Sequence, residues 1–106
     1  MKDTEDEMNS VYAALLKKYR GQPAVQTAIR AAQLRWRAYH DSFLNSYFPD
    51  VAEIRGVWGS QMAECSARYD IAITLERTIW LKQMLDDLST GNVQPPAYAD
   101  LCPFPF

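Results

Sequence analysis

The feature that most constrains this chain is the run between Pro23 and Pro49, which contains no glycine or proline in its interior. A residue that precedes proline is pushed out of the helical region, so a helix over this run should end near Phe48. Apolar residues recur every three or four positions, the spacing of one side of an α-helix. The pattern predicts a helix over 23–48, about 37 Å long at ~1.5 Å per residue. The recurring residues are Val25, Ile29, Ala32, Trp36, Tyr39, Phe43 and Tyr47.

Two more helices flank this run. Thr4 and Glu7 have the spacing of a capping box, and Gly21 can adopt the left-handed conformation that ends a helix, so a shorter helix is predicted over 4–20. Ser60 is a favourable N-cap, and no breaker follows before Gly91. A second long helix is therefore predicted over 60–89.

The segment 49–59 is predicted as a loop. It could form one helical turn near its start, but Gly56 and Gly59 should break any longer helix. Trp58 lies between these glycines, where no helical period explains it. It either caps the core from the loop or stands exposed as an anchor for a partner, a role in which tryptophan is favoured.

The C-terminal segment 94–106 carries four of the six prolines and forms no helix in this interpretation. Its large apolar residues favour packing over the helices, although a disordered tail is the alternative. With 106 residues, the chain is expected to be one domain, 1–106. The predicted fold class is all-α: an antiparallel bundle of one shorter and two long helices with a packed Pro/aromatic tail. The apolar tail residues are Tyr98, Leu101, Phe104 and Phe106.

The charge balance excludes some partners. Eleven basic and thirteen acidic residues give a net charge of -2, which exerts no general attraction on nucleic acid. Arg30, Arg35 and Arg37 are close in sequence, but helical geometry is expected to point them in different directions. No apolar run approaches the ~18 residues of a membrane-spanning helix. We therefore expect neither nucleic acid nor a membrane span.

Groups that catalysis would need are scarce. The single histidine, His40, lies inside a predicted helix, and there is no Cys/His metal cluster or glycine-rich phosphate loop. A nucleophile pair with Cys65 is disfavoured because that thiol falls on an apolar helix face. Asp86 and Asp87 are adjacent and would point about 100° apart. The sequence thus predicts a binding protein without catalytic residues, metal or cofactor.

The two cysteines, Cys65 and Cys102, permit one disulfide. In the chain-entropy description that bond would stabilise the fold by about 4 kcal/mol, less any strain. The alternative is a buried thiol on a helix and an incidental thiol in the tail.

The central helix contains the block Ala-Gln-Leu-Arg-Trp-Arg-Ala-Tyr-His-Asp over 32–41. With this block, the chain resembles the LprI-like lysozyme-inhibitor family of small exported bacterial domains, whose pattern is A-Q-x-x-W-x-x-Y-R-D. The resemblance covers about 4–85. Weaker matches are Asn9 and Tyr12, Gly59 and Ser60 followed by Cys65, and Thr74, Arg77 and Leu81.

Two departures from the family pattern affect its implications. His40 stands where the family usually has arginine, and Phe43 stands where it has the cysteine that pairs with the one matching Cys65. The resemblance thereby makes Cys102 the substitute partner of Cys65. The motif residues are expected to build the scaffold. Gln33 and Asp41 should form hydrogen bonds with the loop backbone or with Arg77, and the rings of Trp36 and Tyr39 should fill the core. These residues are Gln33, Trp36, Tyr39, Asp41 and Arg77.

The resemblance implies a periplasmic protein that binds and blocks a lysozyme-like peptidoglycan glycoside hydrolase, a muramidase. A more specific hypothesis is an immunity protein against a muramidase effector of a type VI secretion system. Such enzymes hold carboxylates in a cleft, which a loop with an arginine could plug. The alternative is a non-inhibitory adaptor of the envelope that binds through a helix face or the aromatic tail. The candidate plug residues are Asp50, Glu53, Arg55 and Trp58.

Overall fold

The computed structural model describes residues 2–49, 51–86 and 102. Within these residues the secondary structure is entirely helical, which confirms the all-α prediction. A short 3-10 turn over Gly59–Gln61 connects the last two helices. The α-helices are α1 (Lys2–Lys18), α2 (Pro23–Tyr47), α3 (Ala52–Trp58) and α4 (Met62–Asp86).

Contacts between the helices define the relative directions of α1, α2 and α4. Arg37 pairs with Glu5 near the start of α1, and Gln26 donates a hydrogen bond to the carbonyl of Leu16 near its end, so α1 and α2 are antiparallel. The ammonium group of Lys18 donates to carbonyls at the end of α4, 2.7 Å from the oxygen of Leu85. Helices α1 and α4 therefore run parallel, with α2 antiparallel to both.

The buried apolar residues form two separate clusters. The first, which we call the aliphatic cluster, lies where α1 packs on the later part of α4 and the start of α2; it comprises Met8, Leu15, Ile29 and Leu81. The second, the aromatic cluster, lies at the opposite end, where α2 meets α3 and the start of α4; it comprises Phe48, Trp58, Cys65, Tyr69 and Cys102. Because α1 has only 17 residues, it covers only part of the longer helices.

The prediction of an irregular loop over 49–59 is wrong for most of its length. Helix α3 continues through Gly56 to Trp58 and ends at Gly59, whose φ is 62°. Glycine within a helix costs about 1 kcal/mol relative to alanine. Burial of the tryptophan ring, typically worth more than that, outweighs the cost. Helix propensity therefore predicted the break at Gly56, whereas tertiary packing extends the helix by about one turn to Trp58.

Cys65 and Cys102 form a disulfide, with their Cα atoms 5.9 Å apart. The hydroxyl of Tyr69 donates a hydrogen bond to the carbonyl of Cys102 at 3.0 Å, which adds a second attachment to the same point. Cys102 is the one described residue of the predicted tail 94–106. The remainder of that prediction, and the predicted end of the last helix over 87–89, lie outside the described residues.

Candidate functional site

The four candidate plug residues do not form one exposed set. Glu53 and Arg55 are exposed on α3, whereas Asp50 lies outside the described residues. Trp58 is only 4% exposed, and its indole N–H donates to the carbonyl of Tyr47 at 3.2 Å. Of the two predicted environments, Trp58 therefore has the buried one, and it is not exposed as an anchor. The seven-residue helix turns this side chain inward onto Phe48, with ring centroids 4.8 Å apart.

Arg55 lines a groove between α3 and the start of α4, which we call the α3 groove. Aromatic and aliphatic side chains supply its apolar lining, and two serines add polar atoms. The groove can accept an apolar side chain of a partner while Arg55 presents a positive charge beside it. The lining residues are Phe48, Arg55, Gly59, Ser60, Met62, Ala63 and Ser66.

Gln33 and Arg77 connect α2 to α4. The Nε of Arg77 donates to the Oε1 of Gln33 at 2.9 Å, and the side-chain amide of Gln33 lies 3.6 Å from the sulfur of Met8. Burial lowers the pKa of Arg77, and the nearby Tyr12 opposes that shift. The amide thus holds a partly buried guanidinium group at the border of the aliphatic cluster, a position that requires a hydrogen-bond partner.

His40 is buried and contacts two carboxylates. Its Nε2 lies 2.6 Å from Asp70 on α4, and its Nδ1 lies 2.9 Å from Asp41. Both contacts are hydrogen bonds at once only when the ring carries both protons. The hydroxyl of Thr74 donates to the backbone carbonyl of Asp70 at 2.9 Å. The expected bond from Asp41 to Arg77 or to the loop is replaced by its contact with His40.

Together these groups form a polar layer between the two apolar clusters, comprising Gln33, His40, Asp70, Thr74 and Arg77. Asp70 is not among the residues predicted from the sequence, because no local spacing connects it with His40 thirty positions earlier. Among the described residues no group of three or more His, Cys, Asp or Glu side chains could hold a metal ion. The layer joins α2 to α4 through hydrogen bonds.

The two aromatic motif residues have different environments. Trp36 is half-buried against the aliphatic cluster, and its ring centroid lies 5.2 Å from that of His40. Tyr39 is 53% exposed, so the prediction that it fills the core is wrong. Tyr39 follows Trp36 by three residues, a rotation of about 300° around the helix axis. Its side chain therefore points about 60° away from that of Trp36, beyond the edge of the buried stripe. It contacts Phe43 at that edge, with centroids 5.8 Å apart.

Comparison with known proteins identifies the family. The family model described as "Lysozyme inhibitor LprI" matches residues 1–81, a span that includes the polar layer and α3 but excludes Cys102. Neither the curated proteins nor the solved structures gave a match. Across 2–49 and 51–86, the helices are too short or too polar to cross a membrane. The match covers most of the 106 residues, and the chain therefore belongs to the LprI lysozyme-inhibitor family.

Proposed function

We propose that this protein acts in the periplasm as a non-enzymatic inhibitor that binds and blocks a lysozyme-like muramidase. The observation that carries the proposal is the family match over residues 1–81. The structure supports it by placing the exposed Arg55 beside the α3 groove on a helix whose other side is packed into the core.

The proposed contact uses α3 as the plug. Glycoside hydrolases of this class cleave their substrate between two carboxyl groups. A guanidinium group forms charge-assisted hydrogen bonds with a carboxylate, so Arg55 is assigned to the catalytic carboxylates. Glu53 is assigned to hydrogen-bond donors at the rim of the cleft. Burial of Trp58 fixes α3 before binding, which reduces the ordering cost on association.

A further part of the proposal is that the target is a muramidase effector delivered by a type VI secretion system, with this chain as its immunity protein. The departures at His40 and Phe43 support a member specialised for one target. Genomic adjacency to a secreted muramidase gene would support this assignment. Equal inhibition of unrelated lysozymes would contradict it.

The test is a titration of the purified, oxidised protein against a panel of muramidases. Muramidase activity is measured as the clearing of a cell-wall suspension. The wild-type protein should inhibit at least one enzyme, and R55E should weaken that inhibition by about tenfold or more. The matched control is R68E, which reverses another exposed arginine, on α4. Failure to inhibit or bind any muramidase refutes the function. Inhibition that R55E leaves unchanged refutes the assignment of α3 alone.

The proposal that the chain is not an enzyme can be tested with the same purified protein. Each ring nitrogen of His40 contacts a carboxylate, and its side chain is almost fully buried, so it is poorly placed to act on a polymer. Cleavage of peptidoglycan by the purified chain alone would contradict this part.

One observation favours the alternative of an envelope adaptor. Helix α4 exposes Trp80 by 57%, and Met84, about one helical turn later on the same face, is also exposed. An adaptor that binds through this helix face would lose its partner in W80D. An inhibitor that uses α3 would keep its full inhibition in the same variant. The two functions are therefore separated by one substitution.

A further inference from the structure

Charge is distributed unevenly along the chain. Between Met8 and His40 there are six basic residues and no acidic residue, although the whole chain has a net charge of -2. This stretch forms most of α1 and the first two thirds of α2. This stretch is therefore basic, although α1 begins with the acidic residues Asp3, Glu5, Asp6 and Glu7. Its basic residues are Lys17, Lys18, Arg20, Arg30, Arg35 and Arg37.

A groove runs between α1 and α2, and we call it the hairpin groove. Arg30 and Arg37 both line it, so the expectation that the three arginines point in different directions is wrong for this pair. Seven residues are close to two full helical turns, which return a side chain to the same side. The groove is lined by Asn9, Tyr12, Arg30, Gln33, Leu34 and Arg37.

The two arginines differ in what they contact. Arg37 pairs with Glu5 at 3.2 Å, and its guanidinium group lies 5.2 Å from the Trp36 ring centroid. Arg30 is exposed and pairs with no carboxylate among residues 2–49, 51–86 and 102. Leu34 lies between them in sequence and is 73% exposed. The groove thus combines one available positive charge with an exposed apolar side chain.

Below the groove, Gln33 is fixed by its hydrogen bond from Arg77. The floor is therefore part of the polar layer and is already ordered before a partner arrives. A preformed groove with one cation and an apolar wall matches a peptide segment that presents a carboxylate beside a large apolar side chain. A polyanion such as a nucleic acid would need several available cations in a row.

We propose that the hairpin groove binds an acidic-apolar segment of the inhibited muramidase, as a second contact separate from α3. Arg30 pairs with the carboxylate, and Leu34 and Tyr12 contact the apolar side chain. This inference rests on the proposed function for the identity of the partner. The centre of the groove at Leu34 lies about 21 Å along α2 from Phe48, at ~1.5 Å per residue, so the two contacts are distinct.

The first test needs no muramidase. A blocked tetrapeptide with aspartate before phenylalanine is titrated into the ¹⁵N-labelled full chain and followed by backbone amide shifts, beside the same peptide with asparagine. The aspartate peptide should shift the amides of Asn9, Gln33 and Leu34 more strongly than the asparagine peptide. The shifts should be lost in R30E and kept in R35E, which reverses an arginine absent from the groove lining.

The second test uses the muramidase panel. R30E should weaken inhibition by about tenfold, equivalent to ~1.4 kcal/mol, and R35E should leave it within about twofold. R30K should retain part of the inhibition, because it keeps the charge but loses bidentate geometry.

The outcomes separate the two proposals. If the aspartate peptide binds but no muramidase is inhibited, the groove assignment as a carboxylate-apolar site is kept and the proposed function fails. If R30E inhibits as well as the wild-type protein, the second contact is refuted while the function stands. Absence of groove shifts with the aspartate peptide also overturns it. Concentration-dependent shifts at the same amides without peptide would show that a second copy of this chain occupies the groove, which equally overturns it.

Discussion

The two apolar clusters of this protein differ in their residue types and in the elements that contribute them. The aliphatic cluster uses Met8, Leu15, Ile29 and Leu81 on α1, α2 and α4, which meet through their regular helical stripes. The aromatic cluster takes its members from the end of α2, from α3, from the start of α4 and from Cys102. It therefore depends on the short helix and the disulfide, while the aliphatic cluster depends on helix periodicity.

The two clusters support different candidate binding surfaces. The aliphatic cluster supports the hairpin groove, and the aromatic cluster supports α3. The polar layer between them gives the two halves a fixed relation, because buried hydrogen-bond donors and acceptors tolerate few alternative arrangements. Disturbing one cluster should therefore affect one surface more than the other, and the following predictions test this.

The largest effect is expected from Trp58→Ala. Removal of a buried indole typically destabilises a protein by about 3–5 kcal/mol. Trp80→Ala is the matched control, because Trp80 is 57% exposed and its removal should cost less than about 1 kcal/mol. Chemical denaturation followed by circular dichroism gives both values. Equal losses in the two variants would contradict the burial of Trp58 in the aromatic cluster.

Loss of the disulfide should come next. Replacing Cys65 and Cys102 by serine together should lower the free energy of unfolding by about 2–4 kcal/mol. Amide hydrogen exchange should then become faster around Tyr69, whose hydroxyl donates to the carbonyl of Cys102, before it does so around Leu15. Uniform acceleration over the whole chain would show that the two clusters unfold as one unit.

The polar layer should give an intermediate effect. His40→Ala leaves the carboxylate of Asp70 without its 2.6 Å partner and should destabilise the fold by about 2 kcal/mol. Asp41→Ala is the control, since the side chain of Asp41 is 70% exposed and should contribute less than about 1 kcal/mol. Thermal unfolding of both variants provides the comparison. If Asp41→Ala is the more damaging change, Asp70 is not the principal partner.

The smallest effect concerns pH. Burial, followed by the neighbouring Tyr47, raises the pKa of Tyr69 above its ordinary value. The folded state therefore retains the phenolic proton that the unfolded state releases above about pH 10, so this stabilisation is present below that pH and is lost as the pH rises. Tyr69→Phe should flatten the alkaline fall in stability. An alkaline slope of the free energy of unfolding that Tyr69→Phe leaves unchanged would contradict the assignment.

The all-α architecture could be predicted because its signals are local. Helix periodicity around Ile29 and the proline at position 49 fixed the central helix close to its observed limits, Pro23–Tyr47. The motif around Gln33 and Trp36 was enough for the family assignment that the match over residues 1–81 confirms. The disulfide between Cys65 and Cys102 was one of two interpretations left open by the residues, favoured by the family resemblance.

The candidate site was harder to predict, because its features depend on contacts between distant residues. Gly56 indicated a break, yet the burial of Trp58 extends α3 through it. Tyr39 carried the period of a core residue, yet the helix rotates it to the surface. The pairing of His40 with Asp70 has no local signature at all.

The sequence by itself determined which segments are helical and to which family the chain belongs, since both depend on residues a few positions apart. Tertiary structure alone decided which aromatic rings are buried and which polar side chains meet. It also decided that Arg30 and Leu34 face a groove completed by Tyr12 of another helix. The physical reason is that exposure and pairing are properties of the surface between helices, and the packing of distant segments creates that surface.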